Sequence, residues 1–251
     1  MKELQNIINT KYNKTSLEQM SNVQLLNRTD TKFILNIDRL NNLLDSASEM
    51  YDVLEINGEQ LLNYNTQYYD TPNFQMYKAH QNKKLNRFKI RQREYLISNI
   101  GFMEVKFKSN KGRTDKSRFQ INGIESELSE KSLEFITDNS FYRGSSLVKS
   151  LLNRFSRITL VHKMDVERVT IDFNLDFRNE SSFVTLPYLS IVEVKREGYA
   201  RSDLIDLLKE NRIYKKSFSK YSIGTLLLNP NFKGNSFKKT LLTLKKIENY
   251  V

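Results

Sequence analysis

The sequence predicts an α+β fold: an eight-stranded antiparallel β-barrel, a tunnel with a charged lumen, with helices packed on its outside. Three observations lead there. Repeated segments alternate polar and apolar residues with a period of two, as a strand with two unlike faces requires. No long helical pattern separates most of the neighbouring strands, which favours antiparallel pairing. The polar faces are mostly Arg, Lys, Glu and Asp, and amphipathic segments elsewhere can cover the apolar backs.

Taken in order, residues 1–24 read as an N-terminal helical extension, 25–230 as the tunnel domain, and 231–251 as a basic amphipathic C-terminal helix. Strands are expected near 31–37, 61–70, 87–97, 101–109, 114–122, 155–163, 166–178 and 188–197. Helices are expected at 38–50, 73–82, 129–137, 145–153, 202–212 and 219–228, with Leu40, Leu43 and Leu44 marking the apolar side of the first. In the third strand Arg87, Lys89, Arg91 and Arg93 share a face, with Phe88 and Ile90 behind them. The next two set Glu104, Lys106 and Lys108 against Met103, Val105 and Phe107, then Lys116, Arg118 and Gln120 against Phe119 and Ile121. Further on, Arg168, Thr170, Asp172 and Asp176 alternate with Val169, Ile171, Phe173, Leu175 and Phe177, and Glu193 and Lys195 with Val192 and Val194.

A charged face on one strand is ordinarily its solvated side. The set is different, because cations outnumber anions in the central strands and would lie across from each other. Adjacent like charges cost a few tenths to about 1 kcal/mol per pair in a sheet. Such a surface calls for an anion to hold.

Composition narrows the chemistry. The 251 residues carry 40 Lys+Arg and 29 Asp+Glu, a formal charge of +11, and no cysteine. Disulfides, thiolate zinc sites, iron–sulfur clusters and cysteine nucleophiles are thereby excluded. His80 and His162 are the only imidazoles and form no local metal motif. No apolar run is long enough to span a membrane, and the N-terminal stretch lacks the apolar centre of a secretion signal, so a cytoplasmic location is expected. Excess positive charge implies nucleic acid, an acidic membrane face or a phosphate compound as partner.

Eight runs carry a family resemblance: RTDTKFIL (28–35), YYDTPNF (68–74), RFKIRQR (87–93), MEVKFK (103–108), GRTDKSR (112–118), ERVTIDFNLDF (167–177), IVEVKREG (191–198) and SFSKYSIG (217–224). Their order resembles the VTC domain, the polyphosphate polymerase domain of the vacuolar transporter chaperone complex with many bacterial relatives, in the triphosphate tunnel metalloenzyme (CYTH-like) superfamily. The resemblance spans about residues 25–228 and implies an eight-stranded antiparallel tunnel with a basic lining.

Roles follow from that resemblance residue by residue. Lys32 resembles the lysine of the first strand, Arg91 and Arg93 the paired phosphate-clamping arginines, Lys106 a further lining lysine, Arg168 the arginine of the RVTID strand, and Lys220 the lysine of the FSKY motif. These six are the catalytic candidates. Arg28, Lys89, Arg113, Lys116, Arg118, Lys195, Lys216 and Ser219 are the substrate-binding candidates. Glu193 resembles the carboxylate that holds Mn²⁺ or Mg²⁺, and Glu104 is a second metal candidate in a like EVK context. Two departures stand out. Arg28, Asp30 and Lys32 replace a Glu-x-Glu-x-Lys strand, which weakens a second metal site, and Ser217 stands where a lysine precedes the FSK triplet, with Lys215 and Lys216 just upstream.

The resemblance implies a metal-dependent polyphosphate polymerase-like phosphoryl transferase acting on ATP, another triphosphate or polyphosphate. The alternatives are a triphosphatase in the same tunnel and a non-catalytic polyphosphate- or anion-binding module. Nucleic acid is disfavoured as a partner; a separate membrane-embedded subunit is compatible with the family and would place the protein at the inner membrane face. Asp70 is expected as a turn or helix cap, His80 on a helix facing the barrel exterior, His162 at a strand end, and Arg157 either in the lumen or against a neighbour. The C-terminal helix is expected to dock over one barrel end, or to bind an acidic membrane surface.

Overall fold

The computed structural model describes residues 2–21, 28–112 and 114–249. Its elements run α1 (Lys2–Lys11), β1 (Lys14–Thr15), α2 (Leu17–Ser21), β2 (Arg28–Asn36), α3 (Asp38–Ala47), β3 (Tyr51–Leu54), β4 (Leu62–Asp70), α4 (Gln75–Gln81) and β5 (Arg87–Tyr95). They continue β6 (Ile100–Lys108), β7 (Thr114–Ile121), α5 (Glu130–Asn139), β8 (Val148–His162), β9 (Glu167–Arg178), β10 (Phe183–Leu186), β11 (Leu189–Glu197), α6 (Asp203–Glu210), α7 (Lys220–Leu228) and α8 (Lys238–Glu248).

Eight strands follow one hydrogen-bonded path, β2-β11-β9-β8-β4-β5-β6-β7, and every pairing along it is antiparallel. They are the eight strands the alternation predicts. The path does not close: among the described residues no ladder joins β2 to β7, so the sheet is open and the expected closed barrel is not formed. It is nevertheless strongly curled. Four strands lie between β2 and β5, which in a flat sheet would put their side chains roughly 24 Å apart. Yet Lys32 of β2 acts electrostatically on Lys89 of β5.

The apolar strand faces are covered as their patterning requires. Val169, Ile171 and Phe173 of β9 and Val192 and Val194 of β11 pack with Leu40, Leu43 and Leu44 of α3, Leu204 and Leu208 of α6, and Leu4 and Ile8 of α1 in one buried cluster. Tyr12 fixes the start of the chain to α3 by donating its hydroxyl to the Leu44 carbonyl at 2.5 Å. Short elements escape sequence reading: β1, β3 and β10 have 2 to 4 residues, too few alternations to recognise.

Two departures from the expected elements matter for the site. The stretch 145–153, read as a helix, is mostly the first part of β8, preceded by one 3₁₀ turn at Gly144–Ser146. Ladder pairing with β4 overrides the helical spacing there, and Ser150 and Asn153, both buried, find backbone carbonyls at Tyr68 and Asp176. In β9 the register slips between Arg154 and Ser156 of its partner, and Asn174 takes up the extra residue at a φ of 51°, a left-handed value asparagine tolerates. That bulge reverses the alternation. Phe173 belongs to the outer cluster, whereas Leu175 and Phe177 belong to the other one. Asp176 consequently leaves the polar face it was expected to share with Asp172, and pairs with Arg178 at 3.7 Å.

The reversal makes a seat for α7. Leu151, Phe155 and Phe177 form an apolar floor on the concave side, and α7 lies on it: a Cβ on Gly224 would come within 2.4 Å of the Phe177 ring. One helix therefore packs inside the curl, where the sequence placed every helix outside. Asp70, fully buried at the end of β4, anchors the arrangement. Its carboxylate accepts the N–H groups of Thr71, Met76 and Tyr77 at 2.7, 2.9 and 2.9 Å, and the hydroxyl of Tyr221 on α7. The capping role expected of it is thus found, extended to a second helix. Asp70→Ala should cost about 3 kcal/mol, since several buried donors lose their acceptor at once, and the drop in urea midpoint measures it.

Candidate functional site

Strand register brings the predicted cations onto the concave face. Lys32 stands opposite Glu193, which stands opposite Thr170; Lys195 is opposite Arg168, and Asp172 opposite Arg157. On the far side of the curl Arg91 lies between Tyr68 and Glu104, Arg93 between Thr66 and Phe102, and Lys89 opposite Lys106, itself opposite Lys116. Lys220 and Ser219 enter from the N-terminal end of α7, where the helix dipole adds partial positive charge.

Three carboxylates divide this face into knots. Glu104, 1% exposed, receives Arg91 Nε at 2.6 Å and the ammonium of Lys116. Asp172, 5% exposed, receives Arg157 through two bonds of 2.5 and 2.9 Å and the ammonium of Lys220, which also sits 3.8 Å from the centroid of Phe155. Glu193 receives Lys32 and, at 2.9 Å, Lys195. Among the described residues Arg93 has no acidic partner within 4 Å; Thr66 takes its Nε at 3.3 Å and Phe155 lies under its guanidinium. Arg168 is half-buried at the edge of the face, and among the described residues its Nε has no hydrogen-bond partner.

The other candidates lie apart to different degrees. Arg118 shares the face, opposite Glu104, with its guanidinium 4.6 Å from the centroid of Phe102. Arg28 is exposed at the end of β2 and pairs with Asp30 at 2.6 Å. Lys216 runs beside the free edge of β2, where its N–H donates to the Lys32 carbonyl at 2.8 Å, and its side chain lines the cleft outside. Arg113 lies outside the described residues. Two members of the face were not among the sequence candidates: Asp172, and Arg157, whose direction the sequence left open. The signal for both was parity, since Asp172 is two and four residues from Thr170 and Arg168.

The face opens into a cleft of about 1350 Å³ beside β2, α6 and the start of α7, lined by Lys32, Lys89, Lys108, Arg201, Lys209 and Lys216 among others. His80 also lines it, a departure from its expected exterior position.

The charges act on one another strongly. Burial, with Arg87, Arg91, Lys32 and Lys108, pushes Lys89 down to about 7. Arg91, then burial, pushes Lys106 well below the usual lysine range. Against the upward push of burial, Arg91, Lys106 and Arg93 hold Glu104 far below the ordinary carboxylate range, and Arg157 and Lys220 do the same for Asp172. Positive charge is therefore crowded to the point where lysines give up protons. An anion entering here reverses that, so binding of tripolyphosphate at pH 8 should take up protons. Calorimetry in buffers of different ionisation enthalpy reads the uptake, and the part due to Lys89 should shrink towards pH 6, where Lys89 is already charged. In the empty protein Lys89 binds its proton more weakly folded than unfolded, so its charge costs the folded state stability at low pH and that cost is relieved as pH rises from about 7 towards 10.5.

For a divalent metal the two predicted carboxylates differ. Glu193 fits: its side chain is 18% exposed and its partners are lysines, whose flexible ammonium groups can withdraw. Glu104 does not fit, because it is sealed and committed to Arg91; it is the counter-ion that aims that guanidinium. A His162–Asp165–Asp203 group lies elsewhere, where the ends of β8 and β9 meet α6. There His162 Nδ1 accepts the N–H groups of Met164 and Asp165 at 3.2 and 2.8 Å, and Nε2 faces Asp203 at 3.2 Å, so the ring is already satisfied as a structural link.

Comparison with known proteins gives one family: the model described as VTC domain matches residues 27–229. No curated protein matches the chain. Among solved structures, a putative adenylate cyclase from Bacillus halodurans aligns with a TM-score of 0.49 and 12% identity over 77% of this chain and 94% of that one. A putative adenylyl cyclase from Hippeastrum, described as having a dominant triphosphatase activity, aligns with a TM-score of 0.48 and 13% identity over 78% and 93%. A protein from Pyrococcus horikoshii gives 0.42 and 11% over 78% and 97%. No described helix is long and apolar enough to cross a membrane.

Proposed function

The chain belongs to the VTC domain family, and on that premise we propose that its concave face binds a triphosphate or polyphosphate and transfers a phosphoryl group, as a polyphosphate polymerase-like enzyme. The observation that carries the reading is the surplus of cations on this face, most of them half-buried, over the carboxylates Asp30, Glu104, Asp172 and Glu193, a surplus that an extended polyanion would neutralise.

Each group has a task in that reading. Arg91 and Arg93, adjacent on one strand face, present guanidinium forks to successive phosphoryl units, and Lys89 and Lys106 supply point charges alongside. Lys220, at the N-terminus of α7, places its ammonium where a terminal phosphoryl would meet the helix end. Phosphoryl transfer needs positioning and neutralisation of the oxygens on the group in flight more than covalent help. Glu193, with phosphate oxygens, would hold Mn²⁺ or Mg²⁺, which supplies Lewis-acid neutralisation of those oxygens when bound. Cytoplasmic residence, with docking to a membrane-embedded subunit, is part of the same proposal.

The test is incubation with labelled ATP, Mn²⁺ or Mg²⁺ and a pyrophosphate primer. Chain products support the polymerase; free phosphate alone identifies a triphosphatase with the same contacts; tight tripolyphosphate binding with neither product leaves a binding module, and no binding at all defeats the reading. Glu193→Gln should abolish metal-dependent turnover, by at least about a hundredfold, while tripolyphosphate affinity without metal changes by less than about threefold.

A further inference from the structure

From one hydrogen-bonded chain lining the cleft, we infer that His80 is a positioning residue for the proposed reaction: through Ser222 and Ser219 it holds the Lys89 ammonium ready for a phosphate oxygen. The links are continuous. Lys89 Nζ donates to Ser219 Oγ at 3.1 Å, Ser219 Oγ donates to Ser222 Oγ at 3.2 Å, and Ser222 Oγ meets His80 Nδ1 at 2.5 Å. They join three elements, β5, the first turn of α7 and α4. Lys89, Ser219 and His80 all line the cleft, while Ser222 is fully buried.

The direction of the chain gives His80 its role. Burial and the nearby cations Lys89, Arg87 and Lys108 push the imidazole down to about 3, so at neutral pH it carries no charge, and in the tautomer protonated at Nε2 its Nδ1 is the acceptor for Ser222. The Ser222 hydroxyl then points to His80, the Ser219 hydroxyl points to Ser222, and Ser219 is left offering lone pairs to Lys89. The N–H of Ser222, 3.3 Å from Ser219 Oγ, fixes the same oxygen from the helix. A lone pair facing Lys89 favours its charged form. That support matters because the strongest influences on Lys89 oppose its charge: burial, Arg87 and Arg91 on its own strand, Lys32 from β2 and Lys108 from β6, while Lys106 stands opposite it in β6. From the start of α7 comes Ser219, and from α4 the neutral His80 acts through Ser222. Without an acceptor at position 80 the hydroxyls can reverse, and Ser219 can then donate to a neutral Lys89 amine.

The inference rests on the phosphate reading for its purpose, but its core can be read in the ligand-free protein. Lysine side-chain NMR, with Lys89 identified by the signal lost in Lys89→Met, follows its titration in the wild type, His80→Phe and His80→Gln. The expected result is a Lys89 midpoint about one pH unit lower in His80→Phe, and near the wild-type value in His80→Gln, whose side-chain carbonyl restores an acceptor. Calorimetry with inorganic tripolyphosphate should then show an affinity loss of about fivefold to tenfold at pH 8 and almost none at pH 6 for His80→Phe. Should that variant not fold, Ser222→Ala breaks the chain one link nearer Lys89 and is read in the same way. An unmoved Lys89 midpoint in a folded variant, or equal shifts in His80→Phe and His80→Gln, overturns the inference. A midpoint that moves as expected in a protein that never binds tripolyphosphate upholds the chain and defeats the phosphate reading instead.

Discussion

Replacing Arg91 with methionine is expected to lower tripolyphosphate affinity by at least about a hundredfold, and adding Glu104→Gln to that variant to restore most of the stability but only a minor part of the affinity. Two effects combine in the single variant. It removes a guanidinium whose charge-assisted bonds to phosphate contribute about 1.5–3 kcal/mol each. It also exposes the incoming anion to Glu104, a carboxylate sealed at 1% exposure that Arg91 otherwise neutralises. The same vacancy should destabilise the fold by about 3 kcal/mol, because a buried charge loses its main partner. Glu104→Gln removes that charge, and the midpoint of thermal unfolding should recover most of the way. Recovery of affinity together with stability would mean that Arg91 is a structural residue, and the assignment of the concave face to phosphate would fall with it.

Asp172→Ala should be the most damaging single change to the fold on this face, at about 3–5 kcal/mol. It leaves Arg157 and Lys220 buried and facing each other without the carboxylate that binds both. Because Lys220 begins α7, the helix end should loosen first, and amide exchange in α7 should rise ahead of that in β9. The pH dependence has a definite sign. Arg157 and Lys220 hold Asp172 far below the ordinary carboxylate range, so its contribution is complete above about pH 4 and is lost only as pH falls below that range. Wild type should therefore lose stability under acid more steeply than Asp172→Ala, in which that loss has already occurred. Parallel acid-unfolding profiles for the two proteins would show that the ion pairs around Asp172 add nothing.

The eight strands of the path, and the face on which Lys32, Lys89, Arg91, Arg93, Lys106, Lys116 and Lys195 sit, were legible because strand periodicity is a local property. What was not legible is non-local. Asn174 looks like any polar residue in β9, yet its bulge turns Asp176 away and brings Leu175 and Phe177 inward. The seat for α7 depends on that reversal, so nothing in the 219–228 pattern could say that this helix lies inside the curl. His80 was misplaced for the same reason. Its partner Ser222 is 142 residues away, and only the docking of α4 against α7 joins them. The second metal candidate, Glu104, was indistinguishable in sequence from Glu193, since both occur in EVK; what separates them is that Glu104 is sealed under Arg91 and Lys116, whereas Glu193 is part-exposed and held by lysines alone.

The unjoined strands β2 and β7 have a mechanical consequence. In a complete cylinder, strand number and stagger fix the girth once and for all. Here no ladder among the described residues spans the gap, and the loop before α7 gives the rim of β2 a backbone bond from Lys216. Small rotations of the two borders therefore break no interstrand bond between β2 and β7, and the girth of the curl is set by its packing and not by a closed ladder.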